Sequence, residues 1–243
     1  MLADPAAFVD AFENRLRERI NEPLDEPAWM DEYRAQFNDE INAIIEPGDE
    51  ATGNTNAGLV SPYVPLSAIT AAKAPEDIIC SASGKNTLWS SPILIERPGT
   101  FLKSVGLGTM GFAFPAGIGA RIADRGTNVF VVIGDGDFSM VAQKLETCVR
   151  KGLSLVIVVF NDSQLSSIKV HQAQEYDEQF VGVDYTDVDF VSAVEGFGAE
   201  GIRVEQGEKF VDAVKTALTS NGPTVINTTI DPEVQAPSLY YET

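Results

Sequence analysis

Five short apolar runs constrain this chain more than any other feature. They lie at Asp77–Cys80, Val129–Ile133, Leu155–Phe160, Gly201–Val204 and Thr224–Thr229. Between them lie stretches with helical spacing, near Gly111–Ala123, Ser139–Lys151, Asp187–Phe197 and Glu208–Ser220. A strand that is apolar at consecutive positions has both faces buried, and strands that alternate with helices are joined by crossovers. The pattern predicts an α/β fold, a doubly wound parallel sheet with helices on both faces and right-handed crossovers. With 243 residues, 44% of them hydrophobic, the chain can build one large core and an appendage.

The appendage is expected at the N-terminus. Asp4-Pro5 supplies a cap followed by proline at the first helical position. Phe8, Phe12, Leu16 and Ile20 then recur every four residues, as one face of a helix does. A second such pattern carries Trp29, Met30, Tyr33, Phe37, Ile41 and Ile44. Residues 47–62 are rich in Gly, Asn and Pro. The expected organisation is a helical connector segment over 1–46, a linker over 47–62 and a ligand-binding domain over 63–243. The connector helices are expected to pack on that domain or on another subunit.

Charge and composition exclude several partners. The chain has 36 acidic and 17 basic residues, a formal net charge of −19, which repels nucleic acid and anionic lipid. No apolar run approaches the roughly 20 residues that span a bilayer. The first residues have neither a basic start nor an apolar core, so the expectation is a cytoplasmic protein with an acidic solvated shell. Cys80 and Cys148 match no metal-ligand spacing and are expected to be reduced, buried thiols. His171, the one histidine, has no cluster around it and is expected at the surface or in a cleft. An anion bound by so acidic a chain needs backbone amides, a cation or a few basic groups.

The most informative unit runs from Val129 to Asp162. Asp135 ends one apolar strand and Asn161 ends the next, 26 residues on, with a helical stretch between. Parallel strands point the same way, so both side chains reach the carboxyl edge of the sheet, where open α/β sheets bind ligands. Gly134 and Gly136 flank Asp135 and let a ligand approach the backbone. The helix that follows, starting near Ser139, offers free amides to a phosphate. Magnesium takes a few hard protein oxygens and fills its octahedron with phosphate oxygens and water. One carboxylate, one amide oxygen and a diphosphate meet that demand. Gly-Asp-Gly alone also describes an ordinary turn, and its pairing with Asn161 carries the signal.

Gly134-Asp135-Gly136 followed at this spacing by Asn161 resembles the signature of thiamine-diphosphate-dependent enzymes. Gly106–Ala120, Asp189-Phe190-Val191 with Glu195–Ala199, and Gly222–Asn227 resemble acetolactate synthase large subunits and related decarboxylases. The resemblance covers about residues 63–235 and implies thiamine diphosphate and Mg2+ as cofactors. It implies that the side chains of Asp135 and Asn161 and the main-chain carbonyl of Ser163 hold the metal. Gly136 and Asp137 would lie against the diphosphate, Met110 would hold the cofactor bent, and the Gly108 carbonyl would accept a hydrogen bond from its amino group. Lys85 and Asn86 stand where the family has Gln-His, and a lysine serves a diphosphate as a point charge. Asp162-Ser163-Gln164-Leu165-Ser166 replaces a glycine-rich family stretch, which leaves the substrate open, and Lys144 replaces a common Glu.

The resemblance further implies a 2-oxo acid decarboxylase or carboligase. In the family, an activating glutamate comes from a separate pyrimidine-binding domain of a neighbouring subunit, and nothing in residues 1–62 resembles that domain. The expectation is therefore an oligomer-forming component with no catalytic residue of its own, completed by a partner and acting on a 2-oxo acid. Two other functions remain open at this point. One is a non-catalytic thiamine-diphosphate-binding regulatory or interaction subunit. The other is an NAD-dependent oxidoreductase using Gly106-x-Gly108-x-x-Gly111 with Asp135. A phosphate loop at Gly84-Lys85 fails, because Ile79 and Asn86 replace the required glycine and hydroxyl residue.

Overall fold

Each apolar run becomes a strand. The structure, a computed structural model, describes residues 53–90 and 99–234 with the isolated positions Arg15 and Ala35. Apart from those two positions, the expected connector 1–46 lies outside the described residues. The strands are β1 (Ile78–Ser81), β2 (Phe101–Lys103), β3 (Val129–Gly134), β4 (Val156–Asn161), β5 (Glu200–Val204) and β6 (Thr224–Thr229). They form one sheet in the order β2-β1-β3-β4-β6-β5, with every pairing parallel. The helices are α1 (Tyr63–Ala72), α2 (Lys85–Ser90), α3 (Ala113–Ala123), α4 (Asp135–Val141), α5 (Leu145–Lys151), α6 (Ser166–Glu175), α7 (Phe190–Glu195) and α8 (Phe210–Thr219).

Side chains alternate across the sheet with the two-residue strand period. Phe130, Val132, Val158, Phe160 and Ile226 pack on one face with Tyr63, Leu66 and Ile69 of α1, Trp89 of α2, and Phe210 and Val214 of α8. Val131, Ile133, Ile157, Val159 and Val225 pack on the other with Phe114 of α3, Phe138 of α4, Leu145 of α5, and Phe190 and Val194 of α7. The doubly wound sheet expected from the sequence is present. Cys80 and Cys148 are free and buried, and burial pushes both thiols up to about 12. Among the described residues, no helix is long and apolar enough to cross a membrane.

Several expected boundaries shift. The helix expected over Ser139–Lys151 begins at Asp135 and is split by a 3-10 turn at Ala142–Lys144, where Lys144 is exposed. It starts early because Gly134 is extended at the cap and Asp135 and Asp137 place carboxylates in the first turn, which the helix dipole favours. It ends at Gly152, left-handed at φ 58°, whose N–H caps the Cys148 and Val149 carbonyls. The expected Asp187–Phe197 helix shortens to α7, capped by Asp189, whose carboxylate accepts from the Ser192 N–H. The described part of the expected linker, 53–62, is bonded to the domain. Val60 is fully buried, donates to the Thr229 carbonyl at 3.1 Å and accepts from the Asp231 N–H at 3.0 Å.

The topology fixes where a ligand goes. From β1 the chain runs outward to the edge strand β2, then crosses back to β3 on the other side of β1. The carboxyl ends of β1 and β3 therefore flank a switch point, the usual ligand crevice of such sheets.

Candidate functional site

A cavity of about 320 Å³ opens at that switch point. The loop after β1 supplies Ser83, the start of α2 supplies Lys85 and Asn86, the loop after β2 supplies Gly108 and Met110, and the start of α4 supplies Asp135, Gly136 and Asp137. Phe160, Asp162, Leu165, Ile168 and Ile230 complete its far wall. Seven of the nine residues expected at the site thus border one space: Lys85, Asn86, Gly108, Met110, Asp135, Gly136 and Asp137. Asn161 and Ser163 do not line it and meet Asp135 in the wall behind.

The strand register brings Asp135 and Asn161 together. Gly134 pairs with Phe160, so the next residue on each strand stands at an adjacent tip. Both side chains are buried. Asp135 Oδ2 accepts from the Ser163 N–H at 2.7 Å and the Asp162 N–H at 3.2 Å. Asn161 Oδ1 accepts from the same Ser163 N–H at 3.3 Å, so the two oxygens converge on one amide. Ser163 is left-handed at φ 54°, a conformation few non-glycine residues adopt. Asn161 is held by its own amide, which donates to Asp187 Oδ1 at 3.1 Å.

Tyr185 completes the cluster, and sequence reasoning missed it. Its hydroxyl donates to Asp135 Oδ1 at 2.6 Å, beside the Gly136 N–H at 2.7 Å. Its own N–H donates to the Ser163 carbonyl at 3.0 Å. Burial, together with the Asp135 carboxylate, pushes the phenol well up, so it stays a protonated donor at neutral pH. Tyr185 and Asp187 arrive on the limb that returns from α6, where Leu165 N–H bonds the Val183 carbonyl. Tyr185 lies before the helical spacing that opens at Asp187, and that spacing marks a helix start and no site, so no sequence signal assigned either residue to the site.

Asp137 borders the cavity and also braces its loops. Its carboxylate accepts from the Gly111 N–H at 2.5 Å and the Ser83 N–H at 3.3 Å, tying the loop after β2 to the loop after β1. Gly108 and Gly111 are left-handed at φ 58° and 78°, which gives that loop its tight path. The Gly108 carbonyl accepts from the Ser83 hydroxyl at 2.5 Å, leaving one lone pair. Lys85 is buried, donates to the Pro232 carbonyl at 2.6 Å and stands 5.9 Å from the Trp89 ring centre. Burial lowers its ammonium from the usual range, opposed by Asp162, Glu233 and Asp231. Asn86 makes a long contact to the Val132 carbonyl, 3.5 Å. His171 is exposed and stacks edge-on against Tyr176.

Three carboxyl groups, Asp135, Asp137 and Asp162, border the cavity, and burial pushes each up. Asp162 reaches about 6, through burial and the neighbouring Asp135 charge. An anionic ligand in this cavity needs a cation beside these carboxylates. The Asp135 and Asn161 side-chain oxygens are hard donors that converge on the Ser163 N–H, and hard oxygens are what magnesium takes. Among the described residues, no cluster of three His, Cys, Asp or Glu can hold a metal. An ion here would therefore depend on an amide oxygen, a main-chain carbonyl and a ligand's phosphates, and the donor set fits that case. The dinucleotide alternative fits poorly. Its glycines follow β2, a three-residue edge strand, whereas that fingerprint follows a strand at the switch point.

Residues 82–228, about three-fifths of the chain, match the family described as thiamine pyrophosphate enzyme, C-terminal TPP binding domain. An acetolactate synthase from Mycobacterium bovis is 32% identical over 202 residues, 80% of this chain and 33% of the relative. The acetolactate synthase isozyme 2 large subunit of Escherichia coli is 30% identical over 90% of this chain and 38% of its own length. An acetolactate synthase of Bacillus subtilis is 34% identical over 61% of this chain and 26% of its own length. The chain spans about a third of the length of such relatives. It belongs to the thiamine pyrophosphate enzyme family, and the part it carries is the C-terminal, cofactor-binding domain.

Proposed function

We propose that this chain binds thiamine diphosphate with Mg2+ at the switch-point cavity and is the cofactor-binding component of a cytoplasmic 2-oxo acid decarboxylase or carboligase of the acetolactate synthase type. A pyrimidine-binding domain of a partner subunit completes the site within an oligomer. The proposal rests on the convergence of Asp135 and Asn161 on one amide at neighbouring strand tips, beside a cavity floored by Gly136. When bound, the cofactor supplies an electron sink for loss of carboxylate from a 2-oxo acid.

This chain's residues bind and orient. Asp135, Asn161 and the Ser163 carbonyl would hold the metal, and Gly136 and Asp137, which border the cavity, would lie against the diphosphate. Lys85 uses one of its three donors on Pro232 and keeps two for a phosphate. The free lone pair of the Gly108 carbonyl would accept from the cofactor's amino group, and Met110 would be an apolar wall of the site. Phe160, Leu165 and Ile168 keep water from the opposite side. No side chain of this domain is assigned to proton transfer, and the partner's glutamate supplies it.

Calorimetry with thiamine diphosphate, with and without Mg2+, tests the site on wild type and Asp135→Ala. The expected result is metal-dependent binding that weakens at least tenfold in the variant. Equal, metal-independent binding by both proteins removes the assignment. Pyruvate decarboxylation on adding a pyrimidine-domain partner then separates an enzyme component from a non-catalytic cofactor-binding subunit.

A further inference from the structure

We infer that the Tyr185 hydroxyl competes with a divalent cation for the Asp135 carboxylate, and that it leaves Asp135 when an ion binds. This rests on the proposed metal role of Asp135. The Asp135 carboxylate accepts four hydrogen bonds. Oδ1 takes the Tyr185 hydroxyl and the Gly136 N–H, and Oδ2 takes the Ser163 and Asp162 N–H groups. Four donors fill the lone-pair sites of an ionised carboxylate. An ion can join Asp135 only if one donor withdraws.

The donors are unequal. Three are main-chain amides fixed by the end of β4 and the start of α4. The Tyr185 hydroxyl is on a side chain that can swing away, and the residue is partly exposed, so it has somewhere to go. The segment that carries it is tied by main-chain bonds, Tyr185 N–H to the Ser163 carbonyl and Leu165 N–H to the Val183 carbonyl, so the side chain alone withdraws. The hydroxyl also covers Gly136, where a Cβ would lie 2.7 Å from the phenol oxygen. Tyr185 therefore blocks the carboxylate proposed to hold the metal.

The opposite arrangement makes the opposite prediction. A tyrosine that stays on Asp135 and orients it for the ion strengthens binding, and its loss weakens metal affinity. A tyrosine that competes with the ion weakens binding, and its loss strengthens it. The sign of one substitution decides between them.

The test uses Mn2+ as the probe, alone and with inorganic pyrophosphate, with free Mn2+ counted by electron paramagnetic resonance. Wild type, Tyr185→Phe and Asp135→Ala are compared as full chains, with circular dichroism as the folding check and Asp135→Asn as the second variant if Asp135→Ala does not fold. Tyr185→Phe is expected to bind Mn2+ about tenfold more tightly, the scale of one hydrogen bond to a charged group. Wild type is expected to give a tyrosine ultraviolet difference band on loading that Tyr185→Phe lacks. Equal or weaker binding by Tyr185→Phe, with binding reduced in the Asp135 variant, overturns the inference and leaves the site standing. Undiminished binding in the Asp135 variant removes the site and the inference together.

Discussion

Asp162 shows how closely the acidic groups around the cavity are balanced. In the folded chain its carboxyl rises from 3.8 to about 6, so the folded state holds a proton there between those values that the unfolded chain has released. Where the folded state binds more protons, stability falls as pH rises. The cost is absent below about pH 4 and complete above about pH 6, and amounts to about 3 kcal/mol. Urea unfolding at pH 4.5 and 7 is expected to show a smaller loss of stability in Asp162→Asn than in wild type. Equal losses would mean that the carboxyl is not strained. Single residues were legible where the fold's parity fixed them. Asp135 and Asn161 stand at strand tips, and a parallel sheet aligns such tips whatever the loops do. Tyr185, Ser83 and Asp187 come from irregular segments, where nothing in the sequence tells which way a side chain turns.

Helix α3 separates two glycines of one sequence stretch. A Cβ on Gly117 would stand 2.6 Å from Val131 Cγ2 and 3.3 Å from Leu155 Cδ2. Val131 is β-branched and fully buried, so it cannot give way. Gly119 is exposed and meets nothing within 4 Å. Replacing helical glycine with alanine gains about 0.5–1 kcal/mol where there is room. Overpacking a core costs about 1–3 kcal/mol. Gly119→Ala is expected to stabilise by that smaller amount, and Gly117→Ala to destabilise by about 1–2 kcal/mol net. Urea unfolding measures both, and a shared sign would refute the packing argument. At this scale, β3, β4 and β6 were legible because both their faces are buried. The edge strand β2 is three half-buried residues, and α6 buries none, so neither leaves an apolar pattern to read. Helices α1 and α2 also went unread, α2 because it has only six residues, four of them polar.

For the whole molecule, net charge dominates. With 36 acidic and 17 basic residues, the shell repels itself and the compact state bears that cost. Raising NaCl from about 10 mM to about 1 M shortens the screening length from about 30 Å to about 3 Å. The melting temperature is expected to climb by several degrees over that range, and a flat or falling curve in calorimetry would mean that the charges are already compensated locally. The strand order has a further consequence. Strand β5 pairs with β6 alone, while β6 sits between β4 and β5. A chain emerging from the ribosome can zip β1 to β4 as they appear, yet β5 has no neighbour until residue 229 clears the exit tunnel. The last strand made is the keystone, and until it arrives the far third of the sheet waits unassembled.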